Sequence, residues 1–128
     1  MTSSGSLPAP RVAVLADDLI WSTRLVAHLR RAGAEPIPVA SIEALSPLFP
    51  TVAAVLVDLT SRRYDGVGAI ELARTAGLRV IAVGQHDEHE LRKRAIAAGA
   101  ERVYAYRKLF EDGPETLASW LTLAGTPR

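Results

Sequence analysis

The chain has 128 residues, 48% of them hydrophobic, and a formal net charge of +1. That length suits one domain with a genuine core. The balanced charge gives neither nucleic acid nor a charged membrane an electrostatic handle. The absence of cysteine excludes disulfides, thiolate catalysis and Cys-ligated zinc and suits a cytosolic protein. No apolar run reaches the roughly 18 residues that a membrane-spanning helix needs.

Residues 1–10 contain no basic residue and no apolar stretch. They read as a disordered tail rather than a secretory signal, and leave one domain over residues 11–125. A first strand is expected over 11–16. An amphipathic helix follows over 19–32, with Trp21, Leu25, Val26 and Leu29 inward and Gly33 beyond its end. Residues 36–40 form a second strand, whose Pro36 and Pro38 place it at a sheet edge. Ser41 caps a short helix, broken by Pro47 and Pro50. The third strand ends at Asp58. A polar loop over 59–65 leads through Gly66 and Gly68 into a helix to about Ala76, ended by Gly77. The fourth strand spans 79–84. Asp87, paired with Glu90, caps the next helix, which Gly99 ends. A fifth strand spans 101–106, and a last helix starts near Pro114 and ends at Gly125. Five strands alternating with five helices predict a three-layer α/β (βα)5 fold. It is flavodoxin-like, with a parallel sheet in the order 2-1-3-4-5.

Two apolar runs stop on carboxylates: residues 12–16 on Asp17 and Asp18, and residues 53–57 on Asp58. In that strand order the two runs are neighbours, and their acids converge at the carboxyl edge, where open α/β sheets bind ligands. Three close carboxylates either take up protons or hold a cation. Oxygen-only ligands at an open site suit magnesium, and a carboxylate beside that ion can attack a phosphoryl group. The plainer alternative is a set of solvated loop-opening acids.

This arrangement resembles the receiver domain of two-component response regulators over about residues 11–124. Asp65-Gly66 is similar to that family's opening of its third helix. The segment Ala97-Ala98-Gly99-Ala100 is similar to the close of its fourth, and Lys108 with Phe110 to its Lys-Pro-Phe after strand five. The resemblance implies Asp58 as phospho-acceptor, Mg2+ held by Asp17, Asp18, Asp58 and the carbonyl of Thr60, and Lys108 on the phosphoryl group. It implies a cytoplasmic, non-enzymatic signalling protein. A histidine kinase or phosphotransfer protein would supply phosphate, and a downstream protein would read about residues 87–124. A homodimer is compatible with it; direct nucleic-acid or membrane binding is not implied.

Several positions depart from the pattern. Gly84 stands where the family carries Thr or Ser. The loop after Asp58 is one residue longer and lacks a proline. An ungapped count from Gly99 puts Tyr106 at the lysine position, with Lys108 reaching it only through two extra residues. Leu109 replaces the proline. These departures point to a second expectation, a phosphorylation-independent pseudo-receiver that acts as an interaction module. A third, a small-ligand domain of flavodoxin-like fold, lacks suitable phosphate-binding or stacking residues.

Other signals are weaker. His86 and His89 lack the H-E-x-x-H spacing and read as part of a polar helix start. Arg62, Arg63 and residues 92–94 read as solvated basic faces. Trp21 and Trp120 read as core. The segment Gly66-Val67-Gly68 is not a dinucleotide fingerprint.

Overall fold

The structure, a computed structural model, describes residues 9–85 and 87–124. Residues 1–8 of the expected tail, His86 and residues 125–128 therefore lie outside the described residues. Strand β1 spans Arg11–Leu15, β2 Glu35–Val39, β3 Ala54–Asp58, β4 Arg79–Gly84 and β5 Val103–Ala105. They form one sheet in the order β2-β1-β3-β4-β5, with every pairing parallel. This is the expected flavodoxin-like order. The strands pair in parallel because helices connect them: α1 Leu19–Arg31, α2 Ile42–Leu45, α3 Gly66–Thr75, α4 His89–Ala98 and α5 Tyr106–Ala124.

The apolar strands bury side chains on both faces. Ala13, Leu15, Val55, Val57, Val80 and Ala82 face a core shared with α3 and Ala95 of α4. Val12, Val14, Ala54, Leu56, Ile81 and Val83 face Leu25 and Leu29 of α1 and Leu117, Trp120 and Leu121 of α5. Alternation within one strand thus builds two cores, one on each side of the sheet. All five residues of β3 are buried, including its terminal Asp58. Burial of Leu25, Leu29, Leu117 and Trp120 follows the sequence pattern.

Strand β2 pairs with β1 alone. Its Glu35 N–H donates to Pro10 O at 2.9 Å, so the alternate positions Pro36 and Pro38 turn their nitrogens away from the sheet, where no donor is needed. Asp65 caps α3, accepting Gly68 N–H at 3.0 Å. Gly99 takes φ 119° past α4, the left-handed geometry that glycine adopts freely.

Three expected boundaries change. The prolines after α2 do not end helical structure: a 3-10 helix runs over Ser46–Thr51 with Pro47 in its first turn, where no N–H partner is required. Helix α4 starts at His89 without a side-chain cap: Glu88, whose N–H donates to Gln85 O at 3.3 Å, precedes it, and Asp87 lies outside the helix. Strand β5 stops at Ala105, and α5 begins at once with Tyr106. Leu109 is fully buried there, and ion pairs one turn apart, Arg107–Glu111 and Lys108–Asp112, favour the helical conformation. Asp112 leaves helical geometry at φ −129° and divides this turn from the part following Pro114. Among the described residues no helix is long and apolar enough to cross a membrane.

Candidate functional site

Asp58 ends the central strand, with Val57 paired to Leu15 of β1 and Asp58 itself to Val83 of β4. It has no solvent exposure. A buried carboxylate is costly unless hydrogen bonds compensate, and here they gather on one oxygen. Asp58 Oδ1 accepts Thr60 N–H at 2.9 Å and Thr60 Oγ1 at 2.8 Å. It also accepts the Tyr106 hydroxyl in a short contact. The Tyr106 hydroxyl lies 2.8 Å from Thr60 Oγ1 as well, closing a triangle of oxygens. Asp58 Oδ2 is buried without a hydrogen-bond partner among the described residues.

A second tyrosine closes the same edge from the β3–α3 loop. The Tyr64 hydroxyl donates to the main-chain carbonyl of Asp58 at 2.5 Å, with the carbonyl of Leu15 at 3.1 Å. It ties the tips of β1 and β3 together. Burial, then the negative charges of Asp58 and Asp17, push the Tyr64 hydroxyl well above the ordinary value of 10.0. Burial, then its hydrogen bond to Asp58, push Tyr106 up in the same direction. Both phenols are held neutral, as donors must be.

The β1 acids behave differently. Asp18 is the N-cap of α1: its Oδ1 accepts Trp21 N–H at 2.9 Å. Asp17 Oδ2 accepts the Ser61 hydroxyl at 2.7 Å, with Arg63 Nε at 3.8 Å. Thr60 turns its N–H and hydroxyl towards Asp58. As arranged, these residues do not fit a magnesium set. Asp18 is committed to a helix end and Asp58 Oδ1 already has three donors. Among the described residues no three His, Cys, Asp or Glu side chains form a metal-holding group.

Lys108 is not brought to Asp58. Its ammonium pairs with Asp112 Oδ2 at 3.1 Å on an open face of α5. The ungapped count is the one that matches the geometry, because β5 carries no extra residues before α5 begins and Tyr106 meets the carboxylate. At the tip of β4, Gly84 is buried. A Cβ there would meet the Leu59 side chain at 3.7 Å, ordinary contact distance, so space does not require the glycine.

No protein-family model and no curated protein matches the sequence. Solved structures do match its backbone. The BeF3-activated DrrB receiver domain is 18% identical with a TM-score of 0.74, covering 91% of this chain and 97% of that one. A receiver domain of the putative response regulator NarL from Mycobacterium tuberculosis is 20% identical with a TM-score of 0.75, covering 94% and 100%. A response regulator from Thermotoga maritima is 18% identical with a TM-score of 0.74, covering 89% and 98%. The chain has the CheY-like receiver fold. Within that fold, Asp58 stands at the end of β3 with Thr60 beside it, and Tyr106 rather than Lys108 meets its carboxylate.

Two contributors escaped the sequence reading. Tyr64 looked like an ordinary loop residue, since nothing local shows that its hydroxyl reaches two strand ends 6 and 49 positions away in sequence. Trp21 carried only a core pattern. Its ring is half-buried and stacks on Tyr106, with centroids 3.9 Å apart and planes 29° apart.

Proposed function

We propose that this protein is a receiver-like signalling module whose acceptor site is closed, so that it acts by protein contact independently of phosphorylation. One observation carries the proposal: Asp58 has no solvent exposure, and the Tyr106 hydroxyl occupies its Oδ1. In-line attack requires the nucleophile to meet its target at about 3–3.5 Å. With Asp58 fully buried, no reagent can approach it that closely unless a covering residue is displaced. Tyrosine also brings no positive charge to offset an incoming phosphate, whereas a lysine would. Magnesium does not enter this proposal.

The structural likeness to response-regulator receivers supports a place in two-component signalling. In that role the protein would be non-enzymatic. A downstream partner would read the surface of α4, β5 and α5, where Ile96 is exposed.

A second proposal, favoured by the unpartnered Oδ2 of Asp58, keeps Asp58 as an acceptor that is exposed only when Tyr106 swings away. Intact-protein mass spectrometry after incubation with acetyl phosphate and magnesium separates the two, with Asp58→Asn as control. The closed site gives the unmodified mass for parent and variant alike. A phosphoryl adduct on the parent that is lost in the variant would overturn the closed-site proposal and establish the second.

A further inference from the structure

We infer that Tyr106 mechanically couples the Asp58 pocket to the outer end of α1 through Trp21. This rests on the closed site proposed above, but concerns where a change at that site is felt.

Tyr106 makes two contacts through one rigid side chain. Its hydroxyl sits on Asp58 Oδ1, and its ring lies on the Trp21 indole at 3.9 Å. The residue is only 5% exposed. Packed interiors have little free space, so a buried ring leaves its place only if a neighbour moves with it. Trp21 is the neighbour able to yield. It is half-buried in the first turn of α1, three residues beyond the Asp18 cap whose carboxylate holds its N–H. The chain of contacts continues outward. Arg24 places its guanidinium 5.5 Å from the Trp21 ring and 5.0 Å from the Phe110 ring, joining α1 to the first turn of α5. Phe110 is 62% exposed and Ile20, beside Trp21, is 66% exposed. A path from a fully buried carboxylate thus reaches solvent in a few contacts.

The tip of β4 offers no comparable route. Gly84 has no side chain, and its nearest neighbour is Leu59. A hydroxyl that could follow a change at Asp58 is absent on that side, so the α1 route is the one that the side chains build. The coupling is reciprocal by thermodynamic necessity: whatever displaces Trp21 from outside also loosens the Tyr106 hydroxyl from Asp58.

The test uses the full chain labelled with 15N. Its two tryptophans give two indole N–H resonances, with Trp120, buried on α5 beneath Arg79, as internal reference. Asp58→Asn removes the charged acceptor, and Tyr106→Phe removes only the hydroxyl that tethers the ring to Asp58. Each variant is expected to move the Trp21 resonance several times further than that of Trp120, with the rest of the spectrum still folded. A Trp21 resonance that moves no further than the Trp120 resonance in Tyr106→Phe, which keeps its packing, would overturn the coupling even if Asp58→Asn fails to fold. The acetyl phosphate result bears on the closed site alone. An adduct accompanied by a Trp21 shift would reject the closed site and keep the coupling. No adduct together with an unmoved Trp21 would keep the closed site and reject the coupling.

Discussion

The tips of β1 and β3 look alike in sequence, since each is an apolar run ending on aspartate, yet they hold opposite kinds of acid. Asp58 is sealed, with three donors on one oxygen and none on the other. Asp18 is exposed and spends its carboxylate on a helix end. The difference comes from what passes overhead. Tyr106 lies on the carboxylate at the end of β3, whereas the acid after β1 opens α1; Tyr64 bridges the two strand ends. An acid at a strand tip is therefore a site, a cap or a structural hub according to the elements that cover it.

The largest expected effect tests the tyrosine cover as a whole. Tyr64 and Tyr106 are held neutral by burial, and their pKa values stand above the ordinary 10.0. The sign follows from that direction: the fold prefers the protonated phenols, so this stability is whole below pH 10 and drains away as pH climbs beyond it. Absorbance of phenolate near 295 nm should lag behind free tyrosine, then rise together with loss of the circular-dichroism signal. Ordinary ionisation at pH 10 in a folded protein would show that the cover is not closed.

Removing the hub itself comes next. Asp58→Ala leaves the Tyr106 and Thr60 hydroxyls without their buried acceptor and is expected to cost about 2–3 kcal/mol in urea unfolding. A loss as small as that of a surface acid would place Asp58 with Asp18 and erase the contrast. Tyr106→Phe keeps the stack on Trp21 and removes one donor to a carboxylate, for an expected loss of about 1.5 kcal/mol by the same measurement. Asp18→Ala should cost about 1 kcal/mol, the usual value for a helix cap, and should fray the first turn of α1 in hydrogen exchange. Asp17→Asn sharpens the comparison from the other side. Arg63 is 85% exposed in its pair with Asp17, so loss of that pair is expected to change stability by about 0.5 kcal/mol or less in thermal unfolding.

Much of the framework was legible from local pattern. Pro36 and Pro38 placed β2 at an edge because proline offers no ladder donor, and the edge is where β2 lies. Ser41 and Gly99 marked helix ends through capping and left-handed backbone, both properties of single residues. The α5 start was not legible. Residues 104–106 have the apolar and aromatic look of a strand, and only the burial of Leu109 and the ion pairs that follow turn the chain helical at Tyr106. The same two-residue question decided the site. Whether Lys108 or Tyr106 met Asp58 depended on where β5 stopped, a boundary set by packing rather than by composition.

The sequence by itself determined the α/β class, the strand order and the place of an aspartate at the end of the central strand. Periodicity, strand hydrophobicity and proline chemistry act over a few residues, and they reach the same answer whatever lies further along the chain. Only the tertiary structure decided that this acid is buried with its carboxylate on Tyr106 and its main-chain carbonyl on Tyr64, while its counterpart Asp18 caps a helix. Those partners stand 48, 6 and 3 positions away from the acids they hold. A hydrogen bond is fixed by distances of tenths of an ångström, which the packing of α1, α5 and the β3–α3 loop against the sheet sets.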